Sequence, residues 1–289
     1  MRKIYFIITF TMLFSYLAKS QAQEKQVQLK QINIVKTNYR DFKSGEIINK
    51  TISFHEGKLS SIKTSDVIQN FFYNQKGLLD RSVKEKEGSN WKEVTNYTYD
   101  ELDRLIKFSE KYQEGGEFVT KTVVITYEGS RVKVITRKST TKEAVIDNIE
   151  YIVENGLIAR RSCRDRNEQI INKTEYVYTN GNITRHTGLL GDKSVKYYTF
   201  DDKYSADVLM VKNIFGENYR VIVPLISFHE EEFNFQMISE ANELTYRTTA
   251  IKDVVKSGKY KYNSFNYPES YSLLEDDGML KTVKTYFYE

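Results

Sequence analysis

The stretch YTYDELDRLIK, residues 97–107, decides the fold. Tyr97 and Tyr99 alternate with a polar residue, a polar turn follows, and Leu105 resumes the apolar alternation. Period-two alternation on both sides of a turn is the pattern of a β-hairpin with one buried face. The same unit recurs as FFYNQKGLLDR (71–81), EYIVENGLIAR (150–160) and EYVYTNGNITR (175–185), and as ITYEGSRVKV (125–134) with one turn residue fewer. Asn, Asp and Gly at the turns supply the positive φ that tight hairpins need.

Taking the residue just before each turn as an anchor gives Phe54, Tyr73, Tyr99, Tyr127, Val153, Tyr178, Phe200, Phe235 and Tyr262, with most spacings close to 26 residues. A near-constant period means one supersecondary unit copied along the chain. Two strands and two turns fill such a period, so nine units predict about eighteen antiparallel strands. A flat sheet of that width is unstable, which predicts an all-β meander that curls or closes like a barrel. Two prolines against 22 Tyr and 16 Phe agree with strands. The period breaks once, near 202–243, where DKYSADVLMVKN (202–213) predicts a short helix entered at Ser205. The segment HEEEFNFQMISEANE (229–243) reads equally as helix or strand, and one of the two segments is expected to plug or cap the rolled sheet.

The N-terminus has Arg2 and Lys3, an uncharged apolar run from Ile4 to Leu17, and small residues at Ser20 and Ala22. This predicts a signal peptide over 1–22 and an exported domain over 23–289, periplasmic or extracellular. No later run is long enough for a transmembrane helix. Removing Arg2, Lys3 and Lys19 leaves 40 basic against 39 acidic residues, which gives no general electrostatic reason to bind nucleic acid. Cys163 is the only cysteine, so no internal disulfide framework is expected.

The Tyr99, Asp100, Arg104 and Leu105 constellation resembles the YD repeat of Rhs and teneurin-like proteins, with Asp103 at the usual Gly position. The other copies are degenerate, with Asn74, Glu128, Glu154 and Thr179 in place of the Asp. Residues 50–289 resemble more closely the small secreted Bacteroidota proteins with degenerate YD-like repeats. That resemblance implies a long antiparallel meander with a porin-like or curled outline and no known chemistry.

Catalytic motifs are scarce. There is no nucleophile elbow, phosphate loop or paired Cys motif, and His55, His186 and His229 show no metal-ligand spacing. The expectation is therefore a non-enzyme with no catalytic residues, no metal and no cofactor. One pattern stands out: Arg81, Lys107, Arg160 and Arg185 occupy the same register, four residues after the turn Gly or its substitute. Stacked hairpins would align them as a basic ladder, with Arg161, Arg164 and Arg166 adding to it. The candidate partner is an anionic glycan or an envelope protein. Two alternatives remain open: an outer-membrane β-barrel, which strand lengths near ten and the aromatic ending YFYE would suit, and a secreted hydrolase using carboxylates on the sheet.

Overall fold

The computed structural model describes residues 27–38, 46–114, 116–139, 143–191, 193–227, 233–249, 255–274 and 280–289. The expected signal peptide and His229, with the acidic run that follows it, lie outside them. The strands are β1 (Leu29–Asn38), β2 (Glu46–His55), β3 (Lys58–Lys63), β4 (Val67–Tyr73), β5 (Leu79–Lys86), β6 (Lys92–Tyr99), β7 (Leu105–Glu114), β8 (Glu117–Glu128) and β9 (Arg131–Ser139). They continue as β10 (Glu143–Glu154), β11 (Leu157–Arg164), β12 (Ile170–Thr179), β13 (Asn182–Leu190), β14 (Val195–Phe200), β15 (Glu243–Thr248), β16 (Val255–Tyr262), β17 (Pro268–Leu274) and β18 (Leu280–Tyr288). Each pairs antiparallel with its sequence neighbours, and β1 pairs with both β2 and β18. The wall is therefore a closed up-and-down barrel of 18 strands with no free edge.

Two turn types recur in the barrel. Glu56-Gly57, Asn155-Gly156 and Asn180-Gly181 each place two consecutive residues at positive φ, the two-residue turn whose twist matches the strands. The longer turns repeat one hydrogen-bond pattern. Asn74, Asp100, Asp165 and Asn263 each accept from the backbone N–H groups two and four residues on, at 2.9–3.0 Å. The residue three positions on, Gly77, Asp103, Glu168 or Asn266, has positive φ. An Asx side chain thus closes each loop by imitating backbone. Asp100 also accepts from Arg104 Nε at 2.7 Å. Partial burial raises its carboxyl, but hydrogen bonds and charge from Arg104 outweigh that and hold it below its ordinary value.

The anchors face inward for a reason the sequence pattern did not disclose. Tyr73, Tyr127, Tyr178 and Tyr288 each donate a hydroxyl hydrogen bond across the inner wall to Leu59, Leu105, Ile158 and Pro268 carbonyls, at 2.7–3.0 Å. The ninth anchor is accordingly Tyr288, where β18 meets β1. Phe235 lies instead in a 3-10 turn, Phe235–Ile238, outside the strands. The aliphatic residues after the turns, Leu59, Leu79, Leu105, Ile158 and Ile183, form a buried inner ring.

The insertion between β14 and β15 fills that ring. Helix α1 (Ala206–Phe215) starts at Ser205, whose hydroxyl accepts from Val208 N, so this expectation holds. A 3-10 turn, Gly216–Asn218, leads into α2 (Tyr219–Ile226), which was not anticipated because RVIVPLI reads as a β-branched strand with a proline. Burial overrides that propensity: Ile222, Val223, Leu225 and Ile226 are fully enclosed, as are Val211, Ile214 and Phe215 of α1. Polar ties fix the plug to the rim. Asn213 donates to Gly57 O (2.9 Å), Asn218 to Leu102 O and Asp103 O (3.0 Å each), and Ala241 N donates to Asn182 Oδ1 (2.9 Å).

Phe215→Ala should cost about 3–5 kcal/mol in urea unfolding, the usual loss for a buried aromatic. Phe118→Ala, which alters an 82% exposed ring on the outer wall, should stay within about 0.5 kcal/mol. Asp100→Ala should cost about 1–2 kcal/mol through its lost turn bonds. Because its folded carboxyl titrates low, that contribution should be present above about pH 4 and disappear as pH falls further.

Candidate functional site

A bulge after the turn decides which side chains reach the outer wall. In a regular strand Leu79 and Arg81 would share a face. Here Tyr73 pairs with Leu79 and Phe72 with Arg81, so Asp80 is the extra residue and Arg81 is turned outward. The same shift acts at Leu105 and Lys107, at Ile158 and Arg160, and at Ile183 and Arg185. The four predicted residues therefore occupy equivalent outward positions on β5, β7, β11 and β13. The gap at β9 holds Lys133, paired with Thr126 and Glu150, where the shorter turn brings a basic residue outward without a bulge. Lys133 also lies four residues after its turn glycine, Gly129, and so shares the sequence register of the other four.

The five cations form a staggered row on alternate strands: Ser109, not Lys107, is level with Arg81, and each later cation is likewise two residues out of level, so neighbours stand roughly 12 Å apart. Their neighbours differ. Arg81 lies over the Phe72 ring at 4.6 Å. Arg160 pairs with Glu175 at 3.1 Å on the adjacent strand. Lys107 stands between Thr98 and Val124, and Arg185 between Val177 and Tyr197, with no ion pair to either among the described residues. Arg164 also lies outward, 3.7 Å from Glu150. Arg161 does not belong to the ladder. Its cross-strand partners are Tyr151 and Thr174 on the inner wall, and it contacts the Cys163 sulfur at 3.0 Å. Adjacent residues on a strand face opposite sides, so a run of arginines splits between wall and interior.

The interior holds a second candidate that was missed. A cavity of about 380 Å³ lies between the insertion and the β14 to β18 wall, lined by Tyr198, Tyr246, Tyr260, Tyr271 and Tyr286. Asp207, Glu243 and Lys284 also line it, and Lys284 Nζ stands 3.7 Å from Asp207 Oδ2, tying the wall to the first turn of α1. The available signal was the spacing in YKY (260–262) and YFY (286–288), which puts both tyrosines of each triplet on one face. The ending YFYE, which would suit an outer-membrane barrel, turns Tyr286 and Tyr288 inward and only Phe287 out. Burial raises the phenol of Tyr271 to about 12, with Lys284 opposing the rise, and raises Tyr260 and Tyr286 further. Among the histidines, His186 packs on Tyr176 with ring centroids 5.1 Å apart. No group of three metal-ligating side chains occurs among the described residues.

No family model matches the chain, so the YD resemblance has no family-level support, and no curated protein matches it. Solved structures with a similar outline include a porin-like protein from Bacteroides uniformis, with 9% identity and TM-score 0.48, covering 90% of this chain and 98% of that one. A porin-like protein from Bacteroides vulgatus gives 10% identity and TM-score 0.42, covering 91% of this chain and 99% of that one. A chain of a TcdB2-TccC3-Cdc42 structure gives 12% identity and TM-score 0.33, covering 60% of this chain and 11% of that one. All three scores lie below 0.5, and the reading of the barrel rests on its own geometry.

A raised phenol pKa favours the folded state below about pH 10, where unfolded tyrosine stays protonated, and that advantage disappears as pH rises toward the folded values. Urea midpoints should therefore fall steeply between pH 10 and 12. Tyrosinate absorbance should rise together with unfolding instead of preceding it. Full ionisation of all tyrosines near pH 10 with a native dichroism spectrum would contradict the burial described.

Proposed function

We propose that this protein is an exported, non-enzymatic binding scaffold that stands in water and presents the basic row of its outer wall to an anionic glycan. The observation that carries this reading is the division of side chains across the wall. Apolar residues such as Leu79, Leu105 and Ile158 point in against the plug, while Arg81, Lys107, Lys133, Arg160 and Arg185 point out near the turn rim, each close to the first residue of its strand. A row of cations with regular spacing suits a polymer with repeated negative charge, and Arg offers paired donors to carboxylate or sulfate groups. The immediate neighbours of the row are mixed, with Phe72 under Arg81, Val177 and Tyr197 beside Arg185, and Glu175 beside Arg160.

A second reading, an outer-membrane β-barrel, is favoured by the closure of an even number of antiparallel strands. Against it, outward basic residues continue along the strands, with Lys107 and Lys111 on β7 and Lys133 and Arg137 on β9, and each one that fell at the bilayer midplane would cost about 2–4 kcal/mol. No helix among the described residues is long and apolar enough to cross a membrane, which has no bearing on strands.

Two measurements separate the readings. Expressed with its N-terminus intact, the protein should appear in the periplasmic or extracellular fraction and leave membranes on a high-salt wash. Release only by detergent would support the membrane barrel. The purified protein should be retained on heparin, and the triple variant Arg81→Glu, Arg160→Glu, Arg185→Glu should elute at much lower salt with an unchanged melting temperature. Equal retention would remove the basic row from the function.

A further inference from the structure

The tyrosine-lined cavity contains polar groups that the protein itself leaves unused. Tyr286 is 6% exposed, and its ring closes the cavity against the inner wall. The hydroxyls of Tyr260, Tyr271 and Tyr286 make no hydrogen bond among the described residues, whereas Tyr198 is engaged by Gln236 Nε2 at 3.2 Å. Of the other inward tyrosines, Tyr73, Tyr127, Tyr178 and Tyr288 reach a backbone carbonyl, whereas the hydroxyls of Tyr99 and Tyr151 are enclosed without a partner. None of the three hydroxyls is enclosed by protein, and Tyr260 and Tyr271 are half-buried, so all three are reachable from the cavity, where a bound molecule can supply their partners.

Electrostatics and shape narrow what that is. The Lys284 ammonium faces the Asp207 carboxylate, and Glu243 has its own interactions, so no uncompensated charge is available to select an ion. Aromatic faces are presented as well as hydroxyls. Gly258 lacks the side chain that would otherwise meet Tyr271: a Cβ there would stand 2.4 Å from the ring. The ring of Tyr271 therefore lies close over β16, with the Tyr260 centroid 4.7 Å away. The volume of about 380 Å³ falls in the range of small-ligand pockets.

We propose that this cavity is a binding site for a neutral carbohydrate of one or two rings, whose hydroxyls bond to Tyr260, Tyr271 and Tyr286 and whose C–H faces lie on the tyrosine rings. The site is independent of the outer basic row. A charged ligand would lack a counterion here, and a purely apolar one would leave the three hydroxyls without partners, at a cost for each.

The test uses the full exported chain and saturation-transfer NMR with calorimetry. The probes are glucose, galactose, mannose, N-acetylglucosamine, maltose and lactose, with choline and acetate as charged comparisons. At least one neutral sugar is expected to bind saturably. Tyr286→Phe and Tyr271→Phe, which remove only the hydroxyl, should each weaken it about tenfold or more, with unchanged circular dichroism and melting temperature. The outer triple charge-reversal variant should bind the sugar as the parent does, so failure of either site is distinguishable from failure of the other. Saturable binding of choline or acetate in place of sugar would overturn the proposal. Absence of sugar binding across the panel, or sugar binding indifferent to both Tyr→Phe changes, would do so equally.

Discussion

Closing eighteen strands into one wall sets the problem that the rest of the molecule solves. Closure removes the unpaired strand edges that would otherwise invite aggregation, but a barrel of that size is wider than its own inward side chains can fill. The insertion after β14 provides the missing apolar mass. Phe215, Ile222 and Leu225 meet the ring of Leu59, Leu79, Leu105 and Ile158, each contributed by one hairpin. Repetition of the hairpin supplies the wall, and interruption of the repetition supplies the core.

The polar details follow from that arrangement. Asx-closed turns at Asn74, Asp100 and Asn263 satisfy the backbone of the rim that meets the plug, where the carbonyls of Leu102 and Asp103 receive Asn218 and Gly57 O, in a two-residue turn, receives Asn213. Where the plug does not fill the interior, against β14 to β18, the tyrosine cavity remains. The bulge that aligns each inner aliphatic residue with its anchor also rotates the following basic residue to the outside. One backbone irregularity thereby produces both the apolar lining and the cationic row.

The sequence carried the number of strands, their antiparallel order, the break near 202–243 and the helix start at Ser205, because each is written in local signals: period-two alternation, turn residues and an N-cap. It also carried the common register of Arg81, Lys107, Arg160 and Arg185. Tertiary structure decided what local signals do not encode. Helix α2 forms from residues with strand propensity because the barrel encloses it on nearly every side. Arg161 and Arg160, adjacent in sequence, separate to opposite faces, and Tyr288 rather than Phe235 completes the nine anchors because the two terminal strands meet when the barrel closes. Tyr260, Tyr271 and Tyr286 come together on three consecutive strands, but the cavity they line exists only where the insertion packs against that part of the wall.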